Sequence, residues 1–190
     1  MEAAEAIVDL SAWPEAPWSL DVMGALLEKS LIHTQVIDDR PRMFMYVSIR
    51  EFAATRLQED ASPVTGIDVE TATRARHAAY FAGFSPVETT GSLRAVDPSV
   101  RRELYANFDN LLVAAESANQ PQRTLCAVGA VEVLMGRGPM SRAVALTEEL
   151  LAADDVPKLL SLRLRVVQAS SLRMMGRFSD AHAALAAAVE

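Results

Sequence analysis

A mostly α-helical fold with a single β-hairpin near its start is what this 190-residue chain predicts. Three observations carry that expectation. Apolar residues recur at helical spacing over most of the length. One stretch alone, residues 31–49, offers two apolar runs of strand length on either side of turn chemistry. The helical stretches are separated by short breaks containing Gly, Pro and Asp, which suits paired helices better than one long rod.

The elements follow in order. A short helix is expected from Glu2 to Leu10, before an abrupt passage through Trp13, Pro14, Pro17 and Trp18. Ser19 then precedes Leu20, Met23, Leu26 and Leu27, an apolar stripe with a hydroxyl available to cap its first turn. Leu31 to Ile37 and Met43 to Ile49 read as two strands, with Asp38, Asp39, Arg40 and Pro41 as the turn. From Ser48 onward Ile49, Phe52, Ala53, Arg56 and Leu57 return to the helical period. Helix, hairpin, helix is the layout of a winged-helix unit, with the wing packed between its two helices.

Beyond it, residues 61–66 read as a linker, and Asp68 and Glu70 open a helix running to about Gly83, where acids favour the helix dipole. Residues 86–91 are another break. Asp97 followed by Pro98 gives an N-cap and a proline in the first turn. Leu104, Phe108, Leu111, Leu112 and Ala115 then form one stripe, predicting a single long helix that stops before Pro121. In the last 70 residues Leu125, Val128, Val131 and Leu134 give one stripe, and Ala143, Leu146, Leu150 and Leu151 give its partner. After Asp154 to Pro157, Leu159, Leu162, Val166 and Ala169 repeat the first helix; Gly176 ends it and Ser179 can cap the next. The likeness of MGRGPMSRAVAL to MGRFSDAHAAL sets Gly136 against Gly176, 40 residues apart, and Ala143 against Ala181, 38 apart. This resembles tetratricopeptide repeats, whose usual period is about 34 residues, with longer helices accounting for the excess; a plain helical bundle is the alternative. Three domains are expected: a winged helix over 1–60, a helical connector over 61–119 and helical repeats over 120–190.

Several of these segments together carry a family resemblance. LLEKSLI, the hairpin, IREFAATRL, RHAAYF at 76–81 and NFDNLLVAAESA at 107–118 look like the region behind the ATPase core of bacterial signal-transduction ATPases with numerous domains. The similarity runs over roughly residues 18–119. It implies a winged helix and tetratricopeptide-like repeats placed behind a nucleotide-binding core, in large transcription regulators or regulatory fusions. In the wider nucleotide-switch class a Met-His-Asp motif closes the second wing strand and its histidine contacts the diphosphate. Aligning IREFA with the family's VREYA puts Met45, Tyr46 and Val47 at those places. Tyr46 keeps a hydroxyl for a phosphate oxygen, but neither the histidine nor the acid is present. Packing is the role read for Met45 and Val47.

Charge narrows the choice of partner. The chain has 18 Lys and Arg against 25 Asp and Glu, a net charge of −7. Residues 1–60 account for −6 of it, residues 61–120 for −2, and residues 121–190 carry +1. DNA binding draws most of its affinity from cations on phosphates, so an acidic wing argues against duplex DNA as a partner. Lys29, Arg40, Arg42 and Arg50 are the residues that would make phosphate contacts, and Glu28, Asp38, Asp39 and Glu51 stand beside them.

No cofactor or metal is predicted. Gly24 to Ser30, GALLEKS, lacks the second glycine of a phosphate-binding loop and lies in a helical pattern. His33, His77 and His182 have no ligand spacing with one another or with the single Cys126. His77 reads as a helix-face residue beside Tyr80 and Phe81. As the one cysteine, Cys126 rules out an internal disulfide and suits a reducing compartment, and it reads as a buried structural thiol. With no signal peptide and no long apolar run, the expected location is cytoplasmic, with no membrane partner. The alanine-rich final helix and abrupt start predict a fragment, with self-association through exposed repeat ends. The expected function is a non-catalytic regulatory and protein-interaction module whose concave helical surface binds protein partners or closes on an ATPase core. A DNA-binding winged-helix transcription factor is the alternative.

Overall fold

The computed structural model describes residues 2–11, 14–37, 39–59, 68–85, 97–117, 119, 121–153 and 155–188. Trp13, Asp38, Asp154 and the breaks expected at 61–66 and 86–91 lie outside the described residues. The chain is mostly helical with one two-stranded antiparallel hairpin followed by helices. It divides into two compact units, Met1–Arg76 and His77–Glu190.

In the first unit α1 (Glu2–Ile7) is shorter than expected. The α2 helix (Ser19–Glu28) starts without a side-chain cap: Trp18 is the N-cap and Ser19 is already helical. The other end of α2 closes with Ser30 in the left-handed region, φ 56°, so that the Leu31 amide donates to Leu26 O at 2.9 Å and the Ser30 amide to Leu27 O at 2.9 Å. Strands β1 (Ile32–Ile37) and β2 (Arg40–Met45) pair with Ile37 opposite Arg40 and Ile32 opposite Met45. Arg40 and Pro41 are therefore strand residues rather than turn. Asp39 adopts φ 60°, which suits the tight reversal of a hairpin and is tolerated by Asp. Pro41 is accommodated because a two-stranded ribbon leaves each strand with an open edge. The second strand ends at Met45, and α3 (Val47–Glu59) begins where strand was expected to continue.

The α2 helix lies against β1, and Ile32 is the one fully buried residue of this unit among the described residues. On α3, Phe52 is 63% exposed and Ala53 and Arg56 are exposed. Ile49 and Leu57 of the same stripe are partly buried, and the Arg56 guanidinium covers the Phe52 ring at 5.4 Å. At the unit's far end Arg76 Nε donates to Ile7 O at 2.7 Å, and its guanidinium lies 3.6 Å from Asp9.

The start of α4 (Val69–Ala82) is capped by Asp68, whose carboxylate accepts from the Thr71 amide at 3.0 Å and from its hydroxyl at 2.5 Å. Within the second unit its last turns bury Ala78, Phe81 and Ala82. Asp97 caps α5 (Pro98–Ala106), accepting from the Ser99 amide at 2.7 Å. The long helix expected here breaks at Asn107, and α6 (Phe108–Ser117) follows. The Asn107 side-chain amide donates to Glu103 O at 2.9 Å, and its backbone leaves the helical region at φ −110°, ψ 16°. Such local bonds from Asn compete with the helix ladder. Leu104, Leu111 and Ala115 are buried on both sides of the break.

The remaining helices are α7 (Gln122–Arg137), α8 (Met140–Leu151), α9 (Lys158–Met174) and α10 (Phe178–Ala186). Each helix from α6 to α10 packs on the next, and α7 also packs on α9. Gly129 allows α7 to approach α5: a Cβ there would lie 3.2 Å from Leu104 Cδ2 and 2.8 Å from Ser85 Oγ. That hydroxyl donates to Leu125 O at 2.5 Å. Val131, Leu134, Ala143 and Val167 form one cluster, and Val144, Ala169, Leu172, Ala181 and Ala184 another. Gly138 at φ 74° closes α7, and Gly176 at φ 77° closes α9, with the Arg177 amide donating to Leu172 O at 2.9 Å. The α10 helix has Arg177 as its N-cap, with no side-chain cap bond, so Ser179 does not serve as one.

The packed face of α9 differs from the one expected. Leu160, Leu164, Val167, Ser171 and Leu172 are buried, whereas Leu159, Leu162 and Val166 are 59%, 41% and 38% exposed. Of the expected stripe, Ala169 alone faces the core. Both faces are aliphatic, and contact with α7 and α8 selects the one that turns inward.

Candidate functional site

The residues named for phosphate contacts scatter over three elements. Lys29 is the exposed C-cap of α2, and Arg50 is exposed in the first turns of α3. Arg40 and Arg42 alternate along β2 and so project from one face of the hairpin, opposite Ile37 and Gln35. On that same face the register sets His33 opposite Phe44, and the Tyr46 ring stacks on His33 at 4.7 Å between centroids. Gln35 and His33 hydrogen-bond through their side chains at 3.0 Å. Tyr46 is thus held against an imidazole and is 55% exposed. Its partner His33 was not read from the sequence, because the pairing is visible only once the turn length is known. Met45 is partly buried opposite Ile32, while Val47 is 58% exposed and does not pack as expected.

Among the described residues, no three His, Cys, Asp or Glu side chains gather closely enough to hold a metal ion. His77 sits 4.6 Å from the Phe81 ring, in an aromatic group with Tyr80 and Phe84. His182 is exposed on α10. Cys126 is buried in α7 with its sulfur 3.6 Å from Ala78 O, and burial pushes its thiol up to about 12. A thiol held protonated this strongly is no nucleophile at neutral pH. Glu149 is exposed and pairs with Arg123 at 2.9 Å.

The second unit presents two surface features. A cleft of about 330 Å³ is lined by Tyr105, Phe108, Asp109, Val133, Leu134 and Arg137. The Arg137 guanidinium stacks on the Tyr105 ring at 4.2 Å, and Gly136 leaves room for the Tyr105 hydroxyl where a Cβ would collide with it. The volume is at the low end for a small-molecule site. The other feature is the outward face of α9. Leu159, Leu162 and Val166 follow one another at i, i+3 and i+7, which places them in a single row. Lys158 and Arg165 border that row, and Arg173 lies on its continuation. The helix contains no acid. On its packed side Arg163 reaches Glu132 of α7 at 3.2 Å, with the two side chains 10% and 2% exposed.

No helix of the described residues is long and apolar enough to cross a membrane. The chain matches no family model, no curated protein and no solved structure.

Proposed function

We propose that the chain is a non-catalytic regulatory module that holds protein partners, of the kind that signal-transduction ATPases and large transcription regulators carry behind a nucleotide-binding core. The observation that carries this reading is the open face of α9. A helix whose other side is fully engaged in the core keeps three aliphatic residues in a row in water. Such rows bind the apolar face of another chain. Around it the packed sequence from α6 to α10 supplies a rigid frame, and rigid presentation lowers the entropic cost of association.

Charge sets this reading apart from DNA binding. The four wing cations sit on three separate elements among acids, and Arg40 with Arg42 alone share a face. A mobility-shift titration of the purified chain with random-sequence duplex DNA at physiological salt is the test. No shift is expected at micromolar protein; a shift that weakens steeply with added salt would replace the protein-module reading with a DNA-binding one.

A further inference from the structure

We infer that the outward face of α9 docks an acidic amphipathic helix of a protein partner; this rests on the protein-interaction reading above and names the partner's chemistry. The row Leu159, Leu162, Val166 spans about 10 Å along the helix axis, two turns, which is the footprint that apolar anchors at i, i+3 or i+4 and i+7 of an incoming helix occupy. Lys158 and Arg165 run along one border of the row, and Arg173 follows Val166 two turns on. Cations on a border and at one end match a helix whose apolar stripe is flanked by Asp or Glu, and they set its orientation.

Two other occupants fit less well. Face-to-face pairing of two copies through this row would bring Lys158 beside Arg165 of the other copy in an antiparallel pair, or each cation beside its own equivalent in a parallel one, a like-charge arrangement that disfavours either pair. A membrane surface would accept the cations, but interfacial binding scales with apolar area, and three partly exposed aliphatic side chains form a narrow row.

The test uses the full chain and a fluorescent synthetic helix of about 15 residues, with leucines at i, i+3 and i+7 and glutamates on its flanks. A second peptide carries lysines in place of the glutamates. Fluorescence anisotropy should report binding of the glutamate peptide and weaker binding of the lysine peptide, and the glutamate complex should weaken between about 50 and 300 mM salt. Leu162→Asn and the double variant Arg165→Glu/Arg173→Glu should each weaken binding about tenfold or more. These side chains lie on the outward face, so an unchanged circular dichroism spectrum and urea midpoint will certify the variants as folded. Equal binding of both peptides, no binding of either, or binding that ignores both variants overturns the inference. Co-sedimentation with phosphatidylcholine vesicles containing about 30% phosphatidylglycerol, in the absence of peptide binding, overturns it in favour of a lipid surface. Failure of the peptides with no DNA shift defeats this docking site alone, whereas a DNA shift defeats the protein-module reading itself.

Discussion

Truncating leucines on opposite faces of α9 separates the two ways of reading that helix. Leu164 is fully buried against the other helices of its unit, so Leu164→Ala removes the transfer free energy of its side chain and leaves a cavity. The cost expected is about 3 kcal/mol, within the range of about 2.7–5 for such sites. Leu159 is 59% exposed. Complete burial of a leucine is worth about 2 kcal/mol, so the part of Leu159 that is covered contributes less than about 1 kcal/mol, and alanine costs nothing in helix propensity. With a urea dependence of about 2 kcal/mol per molar, the midpoint should fall by about 1.5 M for Leu164→Ala and by less than about 0.5 M for Leu159→Ala. Cys126 is the only cysteine of the chain and is buried in this unit, so thiol labelling along the urea series reports the opening of His77–Glu190 specifically. Equal shifts, or a larger one for Leu159→Ala, would refute the assignment of the inward face. A larger shift for Leu159→Ala would make Leu159, Leu162 and Val166 the packed stripe.

Four further outcomes follow from the same packing. Replacing Arg163 by Met should cost about 3 kcal/mol in urea unfolding because Glu132 stays buried, whereas the double replacement Arg163→Met/Glu132→Leu should recover most of that loss. Gly176→Ala should cost about 1 kcal/mol through its φ of 77°, with open space around the new methyl, while Gly24→Ala inside α2 should gain about 0.5–1 kcal/mol; thermal midpoints moving in the same direction would contradict this. The Cys126 thiol has its folded pKa raised to about 12 from 9.0, so the folded state retains a proton that the unfolded chain releases in between. Stability should therefore fall as pH rises above about 9, and Cys126→Ala should flatten that fall when urea midpoints at pH 7 and 10 are compared. Backbone amides of β1, β2 and α3 should exchange with solvent faster than those of α7, because Ile32 is the one fully buried residue of their unit among the described residues; equal protection would count against the burial described.

Local chemistry made part of the fold legible. Asp68 and Asp97 announce helix starts because a capping carboxylate needs only amides two or three residues away. Gly176 announces a stop because a residue without a Cβ takes the left-handed φ of 77° that closes the helix. The hairpin was legible in kind but not in register: a polar run of four residues reads as a long turn, yet the reversal needs only two because Asp39 takes positive φ. Asn107 was invisible because the apolar stripe continues through it, and the break depends on a side-chain bond that a periodicity search does not weigh. On α9 the exposed Leu159, Leu162, Val166 and the buried Leu160, Leu164, Val167 are the same residue types. What selects between them is contact with α7 and α8, which periodicity along α9 does not contain. The residues of the outward face were therefore named from the sequence but assigned to the core. The wing cations were named too, and only the register shows that Arg40 and Arg42 share a side while Lys29 and Arg50 stand on other elements.

Net charge is a poor guide to what the α9 face can bind. At −7 the whole chain should repel an acidic partner, and most of that charge belongs to residues 1–60. At physiological ionic strength charges interact over about 8 Å, so a docked helix responds to the groups that border the row and to little else. On α9 itself those groups are Lys158, Arg165 and Arg173, and the helix carries no carboxylate. Cations placed there add nothing to the core and do not neutralise Glu132, which Arg163 already serves. Their arrangement along an aliphatic row is instead what converts a non-specific apolar contact into one with a preferred charge and direction. Burial of the row would supply affinity, and the cations would reject a basic helix with the same leucines.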